Sequence, residues 1–181
     1  MDLSTNSLFF DTDALSAFLW INNQSILTKI FPGQIVIPKE VYDELKNPCV
    51  PQLKERIDTL IISNEVKIGY IYVGTSEYSL YKELVTPSKD KTRKVIGRGE
   101  ASAIVLTKYS KGTLVSNNLS DVLLYVKKFE LKHLTVGDIL KIALDKNIIT
   151  EEEGNNLWQM MLKKRRLLGY RTFSDFLKKG K

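Results

Sequence analysis

The sequence holds few of the side chains that most often carry metal or acid–base chemistry: one cysteine and one histidine in 181 residues. A single thiol excludes an internal disulfide framework and any paired-cysteine zinc site, and it suits a reducing compartment. That thiol, Cys49, stands between Pro48 and Pro51. The single imidazole, His133, excludes paired-histidine ribonuclease chemistry and multi-histidine metal sites, so it reads as a structural or surface residue. No uncharged apolar run approaches the ~18–20 residues needed to span a bilayer. The start, Met1-Asp2-Leu3-Ser4-Thr5-Asn6, lacks the basic segment and long apolar stretch of a signal peptide, so a soluble, cytoplasmic protein without membrane contact is expected. There is no internal repeat, no low-complexity stretch and no linker that would separate a second domain. Hydrolytic chemistry in such a chain has to rest on carboxylates.

What is present suits one folded domain. The apolar fraction of 43% and charged fraction of 27% are ordinary for a globular protein. Leu8-Phe9-Phe10, Gln34–Ile37, Val66–Ile68, Thr113–Val115 and Leu134-Thr135 read as short strands. Helical spacing of apolar residues marks stretches from Ala14, Lys39–Lys46, Leu53–Ile61, Ser76–Leu84, Ala101–Tyr109, Ser120–Phe129, Val136–Lys146, Thr150–Leu168 and Thr172–Leu177. Thr86–Gly99 reads as a loop, and Pro38 as the first residue of a helix. Strands alternating with helices predict an α/β fold: a mainly parallel sheet with helices on both faces, followed by a helical C-terminal extension. The expected division is a body over residues 1–150 and a basic helical extension over 151–181 packed on the same domain.

In sheets of this kind ligands bind at the carboxyl ends of the strands. Asp11 ends the first strand, Glu44 lies on the helix after the second, Glu100 opens the helix after Gly97-Arg98-Gly99, and Asp121 falls in the first turn after the Thr113–Val115 strand. Four carboxylates sharing a pocket need a cation, and hard oxygen ligands without His or Cys favour Mg²⁺ or Mn²⁺. Such an ion suits phosphodiester hydrolysis. Each acid also has a plainer reading: Asp11 as a turn or cap, Glu44 as one solvated glutamate beside Glu40 and Asp43, Glu100 as a favourable charge at a helix start, and Asp121 with Asn118 as a capping box.

Three segments, Leu8-Phe9-Phe10-Asp11-Thr12-Asp13-Ala14-Leu15, Ile37-Pro38-Lys39-Glu40-Val41-Tyr42-Asp43-Glu44-Leu45 and Gly97-Arg98-Gly99-Glu100-Ala101-Ser102-Ala103-Ile104, resemble in that order the PIN-domain family, and Asp145-Lys146-Asn147-Ile148-Ile149-Thr150 resembles its toxin-related bacterial subgroup. The resemblance implies a three-layer α/β/α sandwich and a metal-dependent ribonuclease. It further implies RNA as substrate, an antitoxin protein as partner and a homodimer. It maps Asp11, Glu44 and Glu100 onto the first three acids of the family's cluster, with Asp11, Glu100 and Asp121 as metal ligands. The fourth position departs from the family pattern. Ser116-Asn117-Asn118 stands where a Thr/Ser-Asp-Asp or Asn-Asp pattern is usual, with Asp121 three residues on. Asp13, Asn117 and Asn118 are therefore accessory candidates, and a catalytically weakened binding module on the same fold is the alternative. Asp11-Thr12-Asp13 also mimics the opening of haloacid-dehalogenase-like phosphatases, but Leu15 stands where that motif wants Thr or Ser.

The net charge of +6 is unevenly placed. Residues 163–181 hold eight basic residues against Asp175 alone, a net of +7, which leaves the first 162 with 19 basic and 20 acidic residues, a net of −1. Candidate RNA-phosphate contacts are Lys89, Lys91, Arg93, Lys94 and Arg98 in the loop before Glu100, and Lys163, Lys164, Arg165 and Arg166 in the extension. Either group also reads as a solvated surface. Trp158, with Met161 and Leu162, reads as packing.

Overall fold

Phe9, Val36 and Leu114 sit at the centres of apolar runs too short for helices, and each is buried. In a pleated strand neighbouring residues face opposite ways, and the two cores follow that rule. Leu8, Phe10, Ile35, Ile37 and Val115 enter one cluster, while Phe9, Val36 and Leu114 pack on the other side of the sheet. Both faces are covered, as a parallel sheet requires.

The computed structural model describes residues 7–87 and 94–179. In chain order these form β1 (Leu8–Phe10), α1 (Thr12–Trp20), α2 (Ser25–Ile30), β2 (Ile35–Pro38), α3 (Lys39–Leu45), α4 (Pro51–Ile62), β3 (Val66–Gly69) and α5 (Ser76–Val85). There follow α6 (Arg98–Ser110), β4 (Thr113–Val115), α7 (Leu119–Lys128), β5 (Lys132–Leu134), α8 (Val136–Asp145), α9 (Glu151–Lys163) and α10 (Phe173–Lys178). The sheet is five-stranded, ordered β3-β2-β1-β4-β5, and every pair is parallel. Leu8 is in register with Ile35 on one side and Thr113 on the other. α1, α3, α4, α8 and α9 cover one face, and α5, α6 and α7 the other. This is the expected α/β/α arrangement.

Several boundaries differ from the sequence reading. α2 carries no side-chain cap at Gln24, so nothing in the sequence announces it. Pro38 ends β2 and precedes the first residue of α3 rather than opening that helix. α6 starts at Arg98, drawing Arg98 and Gly99 out of the expected loop, with Gly97 as its cap. α9 stops at Lys163 instead of running to Leu168, because Arg165 turns left-handed (φ 59) and the Arg166 N–H closes on the Met161 carbonyl at 3.1 Å.

The residues after α9 return to the body. Trp158 is fully buried, as its packing role requires, and its Nε1–H donates to the Tyr170 carbonyl at 3.0 Å. Phe173 and Phe176 pack tilted against Trp158, Phe173 over Gly154 and Phe176 over Gly137, where any larger side chain would collide with the rings. α9 and the segment beyond it thus share the core of the first face. Among the described residues no helix is long and apolar enough to cross a membrane.

Candidate active site

Crossover topology puts the acids on one edge. α1, α3 and α7 leave the carboxyl ends of β1, β2 and β4, whereas α6 runs back to feed β4, so its N-terminus lies at that same edge. Asp11 caps α1, Glu100 and Asp121 lie in the first turns of α6 and α7, and Glu44 lies in the second turn of α3.

Asp11 is completely buried. Its Oδ1 caps α1 by accepting the Ala14 N–H at 2.8 Å, and its Oδ2, also buried, accepts no hydrogen bond. Burial pushes its carboxyl up to about 7. The neighbouring Ser116 hydroxyl and the Ala14 N–H pull the other way, and the charges of Asp13 and Glu100 push it further up. The nearby Ser116 hydroxyl does not close a full hydrogen bond on Oδ2.

Glu44 is exposed but held. Its Oε1 accepts the Gly99 N–H at 3.0 Å, and its Oε2 accepts a short bond from the Thr12 hydroxyl. Position 99 has no room for more than glycine: a Cβ would lie 2.5 Å from Thr12 Oγ1 and 2.8 Å from Glu44 Oε2. Glu100 accepts the Gly97 N–H on Oε2 at 3.0 Å, capping α6, and the Asn118 amide on Oε1 at 2.6 Å. The same Asn118 Nδ2 donates to Asp121 Oδ2 at 2.9 Å. Asp121 also pairs closely with Lys94, which together with the Ser120 and Asn118 donors holds its carboxyl below the usual range.

Glu100 and Asp121 are therefore joined through Asn118, whose side chain makes no cap hydrogen bond, so the plainer capping-box reading of Asn118 with Asp121 does not hold. Among the described residues no three acidic, His or Cys side chains stand close enough, as placed, to ligate one ion. The donor set nevertheless fits a hard divalent cation. It is all oxygen, one member is a buried carboxylate oxygen without a partner, and the Asp11 and Glu100 charges already oppose each other.

The accessory candidates separate. Asn117 turns away: its amide donates to the Leu167 carbonyl at 3.0 Å and its Oδ1 accepts the Val136 N–H at 2.9 Å, stapling the loop after β4 to α8 and to the chain beyond α9. Asp13 faces a cleft of about 240 Å³ that Thr12, Glu44, Gly99 and Glu100 also line. A second cavity, about 550 Å³, lies on the other side of Asp13 against Leu119, Leu168, Tyr170 and Phe176. Of the basic candidates, Lys94 and Arg166 reach the acids, Arg98 is exposed at the start of α6, and Lys163, Lys164 and Arg165 face solvent. Lys89, Lys91 and Arg93 lie outside the described residues. His133 is structural: its Nε2 meets the Ser116 carbonyl at 2.9 Å. Sequence reasoning missed Thr12 and Ser116. Their signal was position alone, each being a hydroxyl one residue beyond a strand end or its acid.

A five-stranded parallel sheet flanked by helices, with carboxylates gathered at its carboxyl edge, defines a PIN-like α/β domain. The chain belongs to that class: the family DUF3368, described as a PIN domain, matches residues 7–181. Among solved structures it is similar to VapBC2 from Rickettsia felis bound to a promoter DNA fragment, at 18% identity and TM-score 0.45, covering 71% of this chain and 97% of that one. It is also similar to VapBC-1 from nontypeable Haemophilus influenzae, at 13% identity and TM-score 0.45, with the same coverage. No curated protein sequence matches the chain.

Proposed function

We propose that this PIN domain is a Mg²⁺- or Mn²⁺-dependent endoribonuclease that hydrolyses RNA phosphodiester bonds. The observation that carries the reading is Asp11: a fully buried carboxylate with one bare oxygen, among further acids at the sheet's carboxyl edge. An ordinary helix cap gains nothing from such burial, whereas a metal ligand does. Asp11 and Glu100 would hold the ion, with Asp121 completing the set once it is released from Lys94. A bound divalent ion lowers the pKa of water and neutralises charge on the phosphoryl oxygens. Glu44, fixed by Thr12 and Gly99 yet open to solvent, orients the attacking water. Asn118 substitutes for a fourth acid by holding Glu100 and Asp121 in place. A toxin role with a cognate antitoxin and a homodimeric assembly belong to the same proposal, on the strength of family membership.

The test uses full-length protein and single-stranded RNA. Cleavage is expected with Mn²⁺ or Mg²⁺, should stop on adding EDTA, and should fall about 100-fold or more in Asp11→Asn. A pure preparation inert on diverse RNAs with both metals overturns the proposal. One observation favours a second reading, a binding module without catalysis: Lys94 already neutralises Asp121, and the Asn118 amide already occupies an oxygen of both Glu100 and Asp121. Calorimetric titration separates the two, because Mn²⁺ should release no binding heat if RNA is bound by the second route.

A further inference from the structure

Among the described residues, the one cation that lines the acidic cleft comes from the far end of the chain. The left-handed turn at Arg165 points Arg166 inward while Lys163, Lys164 and Arg165 stay in solvent. Arg166 Nε donates to the Lys164 carbonyl at 3.1 Å, and Nη1 donates to Asp13 Oδ1 at 3.0 Å and Ser16 Oγ at 3.2 Å. Its Nη2 makes no hydrogen bond among the described residues. The side chain remains 23% exposed and lines the 240 Å³ cleft together with Glu44 and Glu100.

A purely structural role explains this poorly. The segment is already pinned by the Trp158–Tyr170 and Asn117–Leu167 hydrogen bonds and by Phe173 in the core. A half-exposed ion pair to Asp13, itself 36% exposed, adds little stability. A guanidinium held through Nε and Nη1, with both N–H groups of Nη2 left over, is oriented to receive a second anion such as a phosphate oxygen. An acidic cleft that must admit an RNA backbone needs such a group, since its carboxylates repel the substrate they act on.

We propose that Arg166 grips an RNA phosphate at the carboxylate cluster through its Nη2, with Asp13 as the residue that positions the guanidinium. The proposal deepens the nuclease reading and rests on it. Of the four basic residues in the run 163–166, Arg166 alone enters the cleft; the other three can supply only general attraction.

The experiment measures cleavage of single-stranded RNA with Mn²⁺, and binding of the same RNA across a salt series in an Asp11→Asn background. Arg166→Gln should lower kcat/KM about tenfold to a hundredfold and flatten the dependence of log affinity on log salt by about 0.7, the share of one single-strand phosphate contact. Arg166→Lys should recover the salt slope but only part of kcat/KM, since an ammonium cannot keep the Lys164, Asp13 and Ser16 bonds of the guanidinium while meeting the phosphate. Asp13→Asn should keep the slope and lose kcat/KM a few-fold. The Mn²⁺ concentration for half-maximal activity and the melting temperature should stay close to those of the parent, which a structural pin would not allow. Parent-like kcat/KM and salt slope in Arg166→Gln overturn the proposal. Should the parent bind RNA without cleaving it, the nuclease reading fails, while the salt series still decides whether Arg166 meets a phosphate. Absence of RNA binding by every form overturns both.

Discussion

Asp11 caps α1 with one carboxylate oxygen and leaves the other bare, and burial makes that arrangement dependent on pH. Its carboxyl titrates at about 7 in the folded chain against 3.8 in the absence of structure. Between those values the folded protein holds a proton that the unfolded chain has released. Stability therefore falls as pH rises across the window, and the whole contribution is gone above about 7. Asp11→Asn keeps the cap, because Asn is as good an N-cap as Asp, and removes the ionisation. It should stabilise the metal-free protein at pH 8 by an amount on the order of a few kcal/mol, and hardly at all near pH 4. At about 2–4 °C per kcal/mol for a chain of this size, the melting shift is readily measured. Mn²⁺ should reverse the ranking at pH 8, raising the melting temperature of the parent and not of the variant. A variant less stable than the parent at pH 8 without metal would show that Asp11 is an ordinary cap.

At the scale of elements, α6 shows how the site constrains its own framework. Alanine is a better helix former than glycine, so propensity alone predicts that Gly99→Ala stabilises α6. The structure predicts the reverse. The new Cβ would meet Thr12 Oγ1 and Glu44 Oε2, and the Gly99 N–H could no longer hold Glu44 at 3.0 Å. Denaturant unfolding should show a loss of about 1–3 kcal/mol, with RNA cleavage falling alongside it. Gly97→Ala meets only the flexible end of Glu100, so its effect should be smaller. The same helix marks the limit of reading from sequence. The strands were legible because short apolar runs buried on both faces leave a strong local pattern, and Asp11 and Glu100 were legible as acids beside strand ends and glycines. α2 has no cap to announce it, and the end of α9 depends on a left-handed arginine where glycine or asparagine would have been the signal. Asn118 looked like half of a local capping box because its partner Glu100, 18 residues back, is visible only once the chain has folded. Arg166 and Asp13 lie 153 residues apart, beyond any spacing rule.

Across the whole molecule the charge asymmetry of the sequence becomes a surface. The extension carries the excess positive charge, but it is no detachable tail: removing residues 163–181 would strip Phe173 from the core and Leu167 from Asn117. The charge has to be tested with the fold left intact. Lys163, Lys164 and Arg165 are exposed, and Lys164 Nζ lies over the Trp20 ring at 5.5 Å. Replacing all three with Gln should change stability by no more than about 0.5 kcal/mol per site. If each meets a phosphate, the slope of log RNA affinity against log salt should flatten by about 2. The loss should be similar for all RNA sequences, because phosphate contacts position the backbone without reading bases, and kcat at saturating RNA should stay at the parent value. That pattern differs from the one expected of Arg166→Gln, which acts inside the cleft. An unchanged slope would instead make the basic surface a solubility feature, leaving Arg166 as the phosphate contact of the run 163–166.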